Sequence, residues 1–195
     1  MSLAKLQLKA GRRALQAGDF QRALLHFERA HQVAPGNPVV IEQLARARQA
    51  AGQDESALEL FEQVIASGKA SPAVLRTTGK SLLGAGESAR ALLFLEQAAT
   101  CEPNDAETQH LLATAAYNLG DLDRALAAFR LSAKAGGLLG TFGSLATIIP
   151  GAPGASQADI LEARRTFATE MAADSPLAGR PRPPRHDHDL PRIGY

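Results

Sequence analysis

Tryptophan is absent from this 195-residue chain, aromatic residues make up only 5% of it, and there is a single cysteine. Each shortage excludes something. A lone Cys101 forms no internal disulfide, which rules out the cross-linked frameworks of small secreted domains and fits a reducing compartment. Cys101 stands just before Pro103 with no histidine or basic neighbour to activate its thiol, so it is expected simply to fill space. A formal net charge of +1 gives no general case for nucleic acid or a membrane surface as partner. The longest apolar stretch, residues 136–149, is broken by glycines and too short to cross a bilayer. Lys5, Lys9, Arg12 and Arg13 near the N-terminus leave no apolar core for an export signal. A cytoplasmic location is therefore expected.

What is present is a pattern repeated four times with a period of 34 residues. Gly18, Gly52, Gly86 and Gly120 are each followed five residues later by Ala-Leu: Ala23-Leu24, Ala57-Leu58, Ala91-Leu92 and Ala125-Leu126. A bulky apolar residue comes three beyond each Leu, at Phe27, Phe61, Leu95 and Phe129. This is the tetratricopeptide signature, in which each unit is two helices joined by a tight turn. The glycine ends the first helix in a left-handed conformation, and Asp19, Ser88 and Asp121 stand where a cap for the second helix is needed. Small Ala lets two helices cross closely, the bulky residue fills the space between stacked units, and Ala30, Val64, Ala98 and Ser132 continue the same face.

With Ala23 taken as position 20, the units run about 4–37, 38–71, 72–105 and 106–139. The aromatic usual in the first helix is replaced by Gln7, Ile41, Leu75 and Gln109, whereas the small residue at position 8 is kept as Gly11, Ala45, Gly79 and Ala113. Residues 140–173 read as a degenerate fifth unit followed by a capping helix. Ser156 and Asp159 form a capping box there, and Ile160, Leu161, Arg164, Phe167, Ala168 and Met171 follow helical spacing. The predicted fold is all-α: a solenoid of four helix-turn-helix units, a C-terminal capping helix and an extended Pro/Arg-rich tail. No unit buries its apolar face alone, so stability comes from stacking on neighbours.

From residue 174 the chain alternates Pro176, Pro181, Pro183, Pro184 and Pro191 with Arg180, Arg182, Arg185 and Arg192, an extended linker that ends in the strand-like Arg192-Ile193-Gly194-Tyr195. The stretches 144–151 (SLATIIPG), 160–168 (ILEARRTFA, with the pair Arg164-Arg165) and 186–195 (HDHDLPRIGY) resemble the junction in bacterial SPINDLY-type proteins, relatives of the O-linked N-acetylglucosamine transferases. That resemblance implies a substrate-presenting arm of a protein O-glycosyltransferase whose nucleotide-sugar-dependent catalytic domain lies beyond Tyr195. No catalytic residue, cofactor or donor site is then expected in this chain. The alternative is a stand-alone adaptor or assembly scaffold with no enzymatic role. His186, Asp187, His188 and Asp189 carry metal-binding side chains, but they alternate along a linker with no further ligand cluster, so no metal site is expected.

In tetratricopeptide arrays an extended peptide generally lies against the first helix of each unit, at positions 2, 5, 6, 9, 12 and 13. Position 9 reads Arg12, Arg46, Lys80 and Thr114, while position 25 on the second helices reads Glu28, Glu62, Glu96 and Arg130. A groove basic inside and acidic outside is expected, suited to an acidic protein or peptide or, equally, only a solvated row of charge. Gln43, Arg76, His110, Tyr117 and Asn118 complete the expected groove, with Glu42 and Thr77 beside them. Position 6 reads Lys9, Gln43, Thr77 and Leu111, so the asparagine ladder of the eukaryotic transferases is missing. A homodimer through a convex apolar patch is a further expectation.

Overall fold

A computed structural model describes residues 2–174. The expected Pro/Arg-rich tail, the His186–Asp189 run and the strand-like terminus lie outside these residues. Ten helices follow one another: α1 Leu3–Gln16, α2 Phe20–Val33, α3 Pro38–Ala50, α4 Asp54–Ala66, α5 Pro72–Gly84, α6 Ser88–Cys101, α7 Ala106–Asn118, α8 Leu122–Lys134, α9 Leu139–Ile148 and α10 Gln157–Asp174, with a short 3-10 turn at Ile149–Gly151 before α10. Each of the first four pairs packs internally, and its second helix packs on the first helix of the next pair. The described chain is an all-α solenoid.

The turn inside each unit is built identically. Gly18, Gly52, Gly86 and Gly120 have φ between +74° and +81°, which costs a residue with a Cβ but not glycine. The residue after each glycine donates back five positions: Asp19 N to Ala14 O (2.9 Å), Gln53 N to Arg48 O (2.9 Å), Glu87 N to Leu82 O (2.9 Å) and Asp121 N to Ala116 O (3.0 Å). These are Schellman closures. Capping of the second helix is less uniform. Asp19 and Asp121 accept from Arg22 N and Arg124 N, but α4 and α6 begin without a side-chain cap. Ser88 lies inside α6 and is buried, because its hydroxyl is used across the helix pair, accepting from Asn118 Nδ2 at 3.1 Å.

Phe27, Phe61 and Leu95 are fully buried and Phe129 nearly so, each contributing about 2–3 kcal/mol of apolar burial. Their depth explains the small residue at position 8. A Cβ on Gly11 would stand 2.6 Å from the Phe27 ring, and one on Gly79 would stand 2.5 Å from Leu95 Cγ. Ala23, Ala57, Ala91 and Ala125 have almost no exposed surface, as close helix crossing requires. Where glutamine replaces the first-helix aromatic, hydrogen bonds take over from packing. Gln109 Nε2 donates to Pro103 O at 2.9 Å, and Gln7 Oε1 meets His26 Nδ1 at 2.7 Å.

Beyond α8 the frame slips. In α3, α5 and α7 the buried face begins at Val40, Val74 and Thr108, 34 residues apart; in α9 it begins at Thr141, one residue early, and Leu145 and Ile148 keep that offset. The α10 helix then covers α9. Ser156 N and Oγ both donate to Asp159 Oδ2 (2.8 and 2.7 Å), and Asp159 N donates back to Ser156 Oγ (3.2 Å), so the helix start is closed on itself. These bonds, with Arg130 nearby, hold the Asp159 carboxyl below the usual range. The α10 face turned inward is narrower than its helical spacing implies: Ile160, Ala163 and Phe167 are half-buried, while Leu161, Arg164, Ala168 and Met171 are exposed. Cys101 is also exposed, at the last turn of α6, so it does not fill space.

Candidate functional site

The first helices α1, α3, α5 and α7 stand side by side, and polar side chains bridge each to the next. Arg12 Nε donates to Gln43 Oε1 at 3.3 Å, joining α1 to α3. Gln49 Nε2 donates to Ser81 Oγ at 2.9 Å, joining α3 to α5. Arg76 spans from α5 to the start of α7, with Asp105 at 2.8 Å, Glu107 at 3.3 Å and Glu102 at 3.6 Å, and Lys80 reaches Glu107 at 3.2 Å. Two adjoining clefts of about 420 and 300 Å³ lie on this face and share Gln49 and Lys80. Thr77, Ser81 and Gly84 complete their walls, and the space where a Gly84 side chain would stand is open.

The cations of position 9 are all here but do not form one uniform wall. Arg46 is neutralised by Glu42 one turn earlier in the same helix (2.9 Å), and Lys80 by Glu107. Arg12 has no carboxylate partner among the described residues. Asp105, which caps α7, is pushed up by burial but held below the usual carboxylate range by the Thr108 hydroxyl and amide and by Arg76. Such pairing ties the third unit to the fourth and leaves neither Arg46 nor Lys80 without a carboxylate partner. The outer row is paired too: Glu62 binds Arg90, and Glu96 binds Arg124, each on the next unit.

The remaining expected groove residues divide. Gln43 and Arg76 serve the bridges already described. His110 is drawn inward: its Nδ1 lies 2.9 Å from Thr141 Oγ1, and its ring meets Phe129 edge-on at 5.5 Å. Burial lowers its pKa, with Glu107 opposing. Asn118 is exposed but spends an amide proton on Ser88, while Tyr117 stands 47% exposed at the end of α7. Sequence reasoning overlooked Gln49, Ser81, Asp105 and Glu107. A signal for Glu107 existed, because position 2 of the fourth unit follows position 9 of the third by 27 residues and the two sit opposite across the helix pair. Among the described residues, no group of three or more His, Cys, Asp or Glu could hold a metal ion, and no helix is long and apolar enough to cross a membrane.

Residues 14–79 match the family model described as tetratricopeptide repeat. No curated protein sequence matches the chain. Among solved structures, MamA from residue 41 onward, of Desulfovibrio magneticus RS-1, superposes with a TM-score of 0.77 at 20% identity, covering 89% of this chain and 96% of that one. A second MamA crystal structure gives 0.75 at 18% identity over 92% and 98% of the two chains. YrrB, described as a TPR protein with an unusual peptide-binding site, gives 0.74 at 18% identity over 88% of each chain. The protein has the tetratricopeptide-repeat fold, and its residues 14–79 carry that repeat in sequence as well.

Proposed function

We propose that the chain is a protein-interaction module that holds an extended peptide along α1, α3, α5 and α7. The observation that carries this reading is the pair of adjoining clefts around Gln49, Arg76, Lys80 and Ser81, whose polar groups are fixed by bridges between units before any ligand arrives. Pre-ordered polar side chains lower the cost of binding a flexible partner. YrrB, a TPR protein with an unusual peptide-binding site, supports the same use of this fold.

Within this reading the module acts as an adaptor. The finer role, presenting acceptors to an attached sugar transferase, rests on the Arg164-Arg165 pair and on the stretch 186–195. In α10 both arginines are exposed, available to a following domain rather than used in the solenoid. Selection of peptides from a random display library, followed by hydrogen exchange of the complex, tests the adaptor reading. Protection concentrated on α1, α3, α5 and α7 is expected; no selected binder, or protection confined to α2, α4, α6 and α8, would overturn it.

A further inference from the structure

We infer that the first unit is the anchoring point for an acidic partner: an extended peptide carrying two or three carboxylates within about four residues, gripped by Lys5, Lys9 and Arg12. This deepens the peptide-binding reading and rests on it. The net charge of +1 conceals a strong division along the chain. Residues 2–34 hold six cations (Lys5, Lys9, Arg12, Arg13, Arg22 and Arg29) against two carboxylates, Asp19 and Glu28, whereas residues 35–139 hold nine cations against twelve carboxylates. The solenoid is positive at its start and negative after it.

The geometry of α1 concentrates that charge. Lys5, Lys9 and Arg12 are spaced i, i+4, i+7, which places them within about 60° of one another around the helix and over about 10 Å of its length. All three are exposed, and none has an ion pair among the described residues. The helix contains no acidic residue to neutralise them. The strip ends at Arg12, whose bridge to Gln43 ties it to α3, the next of the first helices. Gln43 takes only the Nε proton of Arg12, leaving the two terminal nitrogens to meet a carboxylate as a planar fork. An extended chain covers about 10 Å in three residues, which sets the length of the acidic run.

Further along the same face the electrostatics reverse. Glu42, Asp105 and Glu107 already occupy Arg46, Arg76 and Lys80, so an acidic run placed there would have to displace a resident carboxylate or lie beside one. Complementary charge at one end and like charge beyond it fix where the peptide sits, which is how charge confers specificity.

The test titrates the full chain with two labelled twelve-residue peptides, one with four consecutive Glu in a Ser/Ala background and one with Gln in their place. At low salt the Glu peptide is expected to bind at least tenfold more tightly, and the difference should shrink as salt rises. Lys5→Gln/Lys9→Gln/Arg12→Gln should abolish the difference, while Arg22→Gln/Arg29→Gln, on α2 of the same unit, should leave it within about twofold. These are exposed positions, and an unchanged melting curve for each variant separates lost binding from lost folding. Equal affinity for both peptides, or a difference that survives the α1 substitutions, would overturn the inference and leave the groove reading standing wherever library selection yields binders. Failure of both peptides to bind overturns it as well. Duplex DNA binding as tightly as the Glu peptide, with the same dependence on α1, would replace the peptide with a general polyanion surface.

Discussion

His110 Nδ1 and the Thr141 hydroxyl lie 2.9 Å apart across the boundary between the fourth unit and α9, and both belong to a polar chain inside the solenoid. Ser132 Oγ donates to Ala106 O at 2.8 Å and lies 3.1 Å from Thr141 Oγ1. The arrangement that gives every contact a proton has His110 Nδ1–H donating to Thr141, Thr141 to Ser132, and Ser132 to the Ala106 carbonyl. It places a proton on Nδ1, and burial disfavours a second proton on the ring.

Stability should therefore fall as the solution is acidified from neutrality. Burial lowers the folded-state pKa of His110 below its ordinary value of 6.5, so between the two values the unfolded chain binds the extra proton more readily. This contribution is complete above the unfolded pKa and is lost as pH falls through the folded one. Urea midpoints measured from pH 7.5 down to pH 5 should decline, and His110→Gln should flatten that slope. Equal slopes in the two proteins would show that His110 does not control it.

Thr141→Val keeps the shape of a fully buried side chain but removes the link. Ser132 keeps its bond to Ala106, while His110 loses its partner in a half-buried site. A loss of about 1–3 kcal/mol is expected, the usual cost of leaving a buried polar group unpaired. Chemical denaturation at pH 7.5 measures it, and a loss below about 0.5 kcal/mol would mean that water replaces the threonine.

Gly79 and Leu95 make an opposite prediction to helix propensity. Alanine in place of an interior helical glycine ordinarily gains about 1 kcal/mol, but here its methyl would stand 2.5 Å from Leu95 Cγ. Overpacking of that kind costs about 1–3 kcal/mol, so Gly79→Ala should be neutral to destabilising by about 2 kcal/mol. Ala91→Phe, at a fully buried crossing, should be worse. A raised melting temperature for Gly79→Ala would show that Leu95 changes rotamer at little cost.

Much of this architecture was legible because a 34-residue period makes the same packing site appear four times. Phe27, Phe61, Leu95 and Phe129 occupy one environment, and so do the four turn glycines. What escaped had no repeat behind it. The one-residue slip that brings Thr141 rather than Phe142 inward arises because α8 and its connection to α9 are together one residue shorter than the matching stretch of each earlier unit; in that connection Gly137 passes too close to the Ser132 carbonyl to carry a side chain. The charge state of the groove escaped for another reason. Reading Arg12, Arg46 and Lys80 down one position sees the cations, whereas their neutralisation depends on residues at other positions, Glu42 and Glu107.

Arg130 is the exception in the row Glu28, Glu62, Glu96, and its surroundings give the reason. A cleft of about 280 Å³ between α8, α9 and α10 has Arg130 on one side and Asp159 and Glu162 on the other, above Phe142, Leu145 and Ile149. The first three units have another unit beyond them; the fourth is covered only through α9 and α10. A glutamate at 130 would complete the sequence pattern and place a third carboxylate against α10. Arg130→Glu should therefore speed amide exchange in α10 while leaving α1–α6 unchanged, and high salt should reduce the effect by screening the repulsion. Unaltered exchange in α10 would mean that Ile160, Ala163 and Phe167 hold the helix without help from charge.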